Sequence, residues 1–214
     1  DCRRGKCAKA WRKYPGWVRT DDLVWAQGME YDAFVKTRNA KAEVETAAGT
    51  ETVYLPMGEA VKTLDESRVL LSGGRAARMK SRDLLPAGEY PQSRVRDGVI
   101  ELAKQFLGVK YFLGGRSSDA IDCSGLVNIV YRVYGVNLPR NAADQFDLAR
   151  RIYASELKKG DLVFLAEGGR GEITHVMLYA GGDRLIEACG QSGKVREISS
   201  KERMGVKLED ISEE

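Results

Sequence analysis

Asp122-Cys123-Ser124-Gly125-Leu126 and His175 are the residues whose types and placing allow nucleophilic chemistry. From Ser124 onward, Leu126, Val127, Ile129, Val130, Val133 and Tyr134 recur at helical spacing, and Gly135 stops the run as a C-terminal cap. The spacing predicts a buried helix with Cys123 in its first turn. Unpartnered backbone N–H groups and the positive end of the helix dipole favour an anion there, hence the thiolate. A thiolate needs a base to take its proton, and the chain contains one histidine, His175. Singly, a cysteine before an apolar helix packs as a small hydrophobe and a strand histidine is a structural group. The chemistry therefore rests on what surrounds them.

The elements that must position this pair follow from pattern. Thr174 to Ala180 reads as a strand, Gly181-Gly182-Asp183 as a turn, and Arg184 to Cys189 as the returning strand of a hairpin. With period two, His175, Met177 and Tyr179 share one face, and Leu185, Glu187 and Cys189 share another. A two-residue turn at Gly181-Gly182 puts Glu187 on the face opposite His175. A three-residue turn, Gly181 to Asp183, places Glu187 across from Met177 and diagonal to His175. A catalytic Glu187 requires the longer turn. Upstream, Val95, Val99, Leu102, Ala103 and Phe106 form the buried stripe of a helix from Ser93 to Leu107, with Gly108 beyond it. A shorter helix is expected from Gln145 to Arg150 and a strand over Asp161–Leu165. Helices followed by antiparallel strands make an α+β layout.

The 214 residues leave ample length for a buried core, and 43% apolar with 30% charged residues is ordinary for a globular chain. Thirty-four basic against 31 acidic residues, a formal charge of +3, argue against a dedicated nucleic-acid binder. No run approaches the ~18 apolar residues of a membrane span. One histidine and scattered thiols offer no metal-ligand spacing, and no cofactor is called for. Cys2 and Cys7 either close a small loop or stay unpaired. The start at Asp1-Cys2, without a signal peptide, is expected of a processed or trimmed product.

Residues 1–90 read as short strands and turns: Tyr31–Thr37, Glu43–Glu45, Thr52–Leu55, Ala60–Leu64 and Val69–Leu71, with turns at Ala48-Gly49 and Gly73-Gly74. The pattern around Trp17-Val18-Arg19-Thr20-Asp21-Asp22-Leu23 recurs faintly around Arg78-Met79-Lys80-Ser81-Arg82-Asp83-Leu84, which suggests tandem small β-barrels. The expected division is residues 1–27 as the remnant of a first unit or an extension, 28–86 as a complete unit, 87–92 as a Pro/Gly linker, and 93–214 as the catalytic domain.

The "GWV" ending followed by a "DL" pair resembles bacterial SH3-like domains. Residues 93 to about 200 resemble the NlpC-type cell-wall cysteine peptidases. The resemblance lies in Tyr111, Gly114-Gly115, Asp122 to Gly125, Leu138-Pro139-Arg140, Gly160 to Phe164, and His175 to Tyr179, taken in order. It implies a papain-like fold with helices packed on an antiparallel sheet, Cys123 as nucleophile and His175 as base. Where these enzymes often carry a second histidine followed by Ala, this chain has Glu187-Ala188. A carboxylate also orients an imidazole, and it raises the histidine's pKa more than a neutral partner does. The resemblance further implies that Tyr111, Asp122 and Ser124 bind substrate, with Asp122 meeting a free ammonium. Ala142 stands where a substrate-binding hydroxyl is usual. The expected substrates are peptidoglycan stem peptides, cut between γ-D-glutamate and the diamino acid by a monomeric enzyme in the periplasm, cell envelope or medium. The alternatives are an amidase or acyl transferase of the same fold, or a non-catalytic wall-binding module.

Overall fold

The structure is a computed structural model describing residues 30–168 and 171–211. Of residues 1–29 it gives the backbone of three two-residue strands, β1 (Cys2–Arg3), β2 (Lys6–Cys7) and β3 (Gly16–Trp17), paired antiparallel in that order. The side chains there, including Cys2, Cys7 and the first copy of the faint repeat, lie outside the described residues. So do the boundaries expected for residues 1–27.

Strands β4 (Ala33–Val35), β5 (Ala40–Thr46), β6 (Gly49–Leu55), β7 (Ala60–Thr63), β8 (Arg68–Leu70), β9 (Ala76–Met79) and β10 (Leu84–Pro86) build the first section. Alternation explains them: Ala40, Ala42 and Val44 point inward from β5 to meet Val61, Val69, Ala77 and Met79. The strands form one antiparallel sheet in the order β10-β4-β7-β8-β9-β5-β6. This order is open, with β10 and β6 at its two edges. The strands expected from sequence are therefore present, with β9 and β10 added, but hydrogen bonds do not close them into a barrel.

The second section opens with α1 (Gln92–Lys104), capped by Pro91 rather than by the expected Ser93. It ends three residues before Leu107, and the chain then turns to Gly108, whose φ of +82° favours glycine. Helix α2 (Cys123–Arg132) is the buried axis, with Cys123 through Val130 buried. Helix α3 (Ala142–Leu148) follows, starting earlier than expected. Strands β11 (Lys110–Tyr111), β12 (Ala120–Ile121), β13 (Leu162–Leu165), β14 (His175–Gly181), β15 (Arg184–Cys189) and β16 (Lys194–Ser199) make a sheet ordered β12-β11-β16-β15-β14-β13. It is antiparallel except between β11 and β12. Helix α4 (Ser200–Met204) closes it, begun by a capping box between Ser199 and Glu202 and ended at Gly205. Neither β16 nor α4 is anticipated by the sequence reading.

Phe34, Met57 and Leu85 of the first section join the same apolar cluster as Phe106, Leu126 and Ile129 of the helical layer and Leu178 of the sheet. The seam carries polar ties as well. Arg132 Nε donates to Gly58 O at 2.9 Å, and Arg38 Nη1 donates to Ser118 O at 2.9 Å.

The glycines of the motifs are close-approach positions. A Cβ on Gly125 would lie 2.5 Å from the carbonyl oxygen of Gly115, and one on Gly115 would lie 2.7 Å from that of Phe112. Backbone cannot swing away as a side chain can. Gly125→Ala should therefore lower unfolding stability in urea by about 1–3 kcal/mol, against a helix preference that favours Ala by about 1 kcal/mol. Stability equal to or above wild type would contradict the close approach.

Candidate active site

Asp122 is the N-cap of α2: its backbone is extended and Oδ1 accepts from Gly125 N at 2.7 Å. Cys123 is consequently the first helical residue, 7% exposed, with the free N–H groups of the helix start around it. The helical stripe in the sequence points to the same turn.

The hairpin supplies His175. Leu178 pairs with Ile186 and Tyr179 with Leu185, and the register then slips so that Gly181 pairs with Arg184. Gly181, Gly182 and Asp183 all have positive φ. The loop is thus two residues, Gly182-Asp183, plus a bulge at Ala180, and together these give the register that the three-residue turn would have given. Continued inward, it puts Glu187 across from Met177 and diagonal to His175. His175 Nε2 and Glu187 Oε2 are 2.6 Å apart, and the Cys123 thiol acts on the same imidazole. Burial by itself would lower the His175 pKa, but the hydrogen bonds to Cys123 and Glu187 and their negative charges outweigh it and raise it to about 9.

Glu187 has no solvent exposure. Burial alone would raise its pKa; the hydrogen bonds from His175, Arg203 and Arg196 win and hold it below the usual carboxylate range. Arg196 Nε and Nη2 lie 2.8 and 2.7 Å from Oε1, and Arg203 Nε lies 2.8 Å from Oε2. Arg203 also reaches Glu167 Oε1 at 2.5 Å. Sequence reasoning missed both arginines. Two signals were present: the Ser199-x-x-Glu202 capping box just before Arg203, and the Gly190–Gly193 turn that returns Arg196 opposite Glu187.

Tyr111 ends β11 beside Ile121, and its half-buried ring packs against Gly190. Burial, then the charges of Cys123 and Asp122, raise its pKa, which places the phenol in the field of the thiol. Asp122 is held from several sides. Arg140 grips it in a two-point pair, Nη1 to Oδ1 at 2.9 Å and Nη2 to Oδ2 at 2.6 Å. Gly114 N donates to Oδ2 at 2.8 Å, and Ser124 Oγ both donates to Oδ1 at 3.3 Å and accepts from Arg140 at 3.0 Å. Asp122 and Ser124 thus fix the helix start and Arg140. Ala142 is buried in the core. A cavity of about 660 Å3 between Tyr131, Phe146, Phe164 and Leu208 includes none of these site residues. Among the described residues no group of acidic, histidine or cysteine side chains is arranged to hold a metal.

A buried thiol close to a histidine that is held by a buried carboxylate is the arrangement of a cysteine hydrolase. Residues 108–208 match the NlpC/P60 family model, and the chain carries a domain of that family there. The gamma-D-glutamyl-L-lysine dipeptidyl-peptidase of Bacillus subtilis is 31% identical over 197 residues, covering 87% of this chain and 64% of its own length. Peptidoglycan endopeptidase RipB of Mycobacterium tuberculosis is 36% identical over 155 residues, covering 62% of this chain and 63% of its own. The crystal structure of an NlpC/P60 family protein from Bacillus cereus superposes with a TM-score of 0.71 at 26% identity, covering 87% of this chain and 65% of that one. The chain thus spans a little under two thirds of the length of these relatives.

A histidine raised from 6.5 to about 9 contributes stability that is complete below 6.5 and lost as pH rises through about 9. Glu187, lowered from 4.5, contributes stability present above 4.5 and lost as pH falls through its folded value. Thermal midpoints should therefore decline from neutral pH towards 9 and beyond. Glu187→Gln should flatten that decline and cost about 3–5 kcal/mol, because two guanidiniums lose their buried partner. Superimposable pH profiles for the two proteins would rule out the buried pair.

Proposed function

We propose that the chain is a cysteine endopeptidase of peptidoglycan stem peptides that cuts between γ-D-glutamate and the diamino acid. The observation that carries this is the buried line Cys123–His175–Glu187, read together with what the Bacillus subtilis and Mycobacterium tuberculosis relatives are named for. His175 takes the Cys123 proton, and the thiolate attacks the amide carbonyl. The resulting oxyanion is stabilised by backbone N–H groups at the start of α2, Cys123's own among them, with Tyr111 at the edge of the site. Imidazolium gives its proton to the departing amine, leaving a thioester. Water, deprotonated by His175, then hydrolyses the thioester and restores the thiol. Glu187 keeps the ring oriented and supports the imidazolium in both halves.

In this reading residues 28–86 are an SH3-like unit that walls one side of the cleft, residues 87–92 are the linker, and residues 93–214 form the catalytic domain. The protein works as a monomer on muropeptides at the cell envelope or outside the cell. Tyr111, Asp122 and Ser124 contribute to substrate binding, with Asp122 facing the free ammonium of the stem peptide while Arg140 holds it in place.

Mass spectrometry of L-Ala-γ-D-Glu-L-Lys and L-Ala-γ-D-Glu-diaminopimelate digests tests the proposal. Wild type should release the diamino acid, and Cys123→Ala should be slower by at least ~10³-fold. Intact peptides after incubation with folded wild type, or equal cleavage by the variant, would discard the endopeptidase.

A further inference from the structure

We infer that Arg203, seconded by Arg196, is a positioning residue that sets how strongly Glu187 acts on His175, and that Glu167 adjusts it from the protein surface. The inference rests on the Cys123–His175–Glu187 reading above and concerns the same site.

One fully buried carboxylate serves three nitrogen-bearing partners. Its Oε2 is shared by His175 Nε2 at 2.6 Å and Arg203 Nε at 2.8 Å, while Arg196 occupies Oε1. The charge that stabilises an imidazolium is therefore the same charge that Arg203 draws on. Arg203 is only 9% exposed along its side chain, so its charge acts through little water. Its other end is held by Glu167, in the loop after β13, which is 42% exposed. Glu167, Arg203, Glu187, His175 and Cys123 thus form a continuous line of charged or hydrogen-bonding groups from solvent to nucleophile, drawn from the β13–β14 loop, α4, β15, β14 and α2.

The sign at each end follows. Arg203 lends Glu187 a positive neighbour and weakens its hold on the imidazolium, while Glu167 takes part of that positive charge away and strengthens the hold. Among the described residues, the remaining groups facing the line are Cys189, whose Sγ is 3.7 Å from Arg196 Nη2, Glu202 near Arg196, and Tyr111 and Asp122 on the Cys123 side. None of these touches Arg203 or Glu167 in a way that would reverse either sign. A purely structural ion cluster would fasten α4 and β16 to the sheet without moving the titration of His175.

The single histidine makes the test direct, because its imidazole carbon resonance titrates without overlap in the full chain. In a Cys123→Ala background, which removes the coupled thiol, Arg203→Met should raise the His175 midpoint by about one pH unit. Glu167→Gln should lower it by a few tenths, and Arg203→Lys should stay near the background. Opposite shifts from the two ends support the inference. An unmoved midpoint in folded Arg203→Met and Glu167→Gln overturns it. If Arg203→Met does not fold, Glu167→Gln decides, since that side chain is at the surface: no downward shift overturns the inference. The titration needs no substrate, so its failure is distinct from a failure to cleave stem peptides.

Discussion

A carboxylate without solvent contact stays charged only if cations and donors surround it, and Glu187 imposes that condition on the whole second section. Its three partners come from three different elements: His175 from β14, Arg196 from β16 and Arg203 from α4. Each element must therefore be in register before any of the charges is tolerable. The sheet order β16-β15-β14 sets the flanking strands on either side of Glu187, and α4 packs back to bring the third partner. Mispaired, the same residues would leave a bare charge in the core. The ion cluster thus specifies one arrangement even where its net contribution to stability is small.

Cys123 is fixed by a second charged cluster with a different logic. Asp122 caps α2, accepts from Gly114 N, and is neutralised by Arg140, so the helix start, the glycine turn and the Leu138-Pro139-Arg140 segment are locked at one point. Gly115 and Gly125 let the backbone segments meet closely enough for this. Cys123 stands between the two clusters. Its side chain faces the base while its backbone belongs to the cap, and neither can shift without disturbing the other.

Much of this is legible in the sequence because it is local. The position of Cys123 follows from a helical stripe and a cap, and the His175–Glu187 alignment follows from strand alternation once the turn is given. The turn itself is ambiguous between two registers, and a bulge at Ala180 resolves it by adding the residue that the two-residue loop lacks. The grip of Arg140 on Asp122 is not legible in the sequence, because the two stand 18 positions apart and no periodicity announces a pair formed across a loop. Arg196 and Arg203 escape for a related reason: on their own strand and helix they look like solvated surface cations, and only the fold reveals a buried acid facing them. The strands of the first section are visible as alternation, but whether their edges meet depends on twist and length instead.

The apolar seam formed by Phe34, Met57 and Leu85 with the helices of the second section has a consequence for how this chain can be divided. A stretch rich in proline and glycine separates the two sections along the chain, yet three buried residues of the first belong to the core of the second, while the rest of the first section packs a core of its own. Cutting between them would leave Phe34, Met57 and Leu85 on one piece and the helical residues they cover on the other, each with an apolar face bared to water.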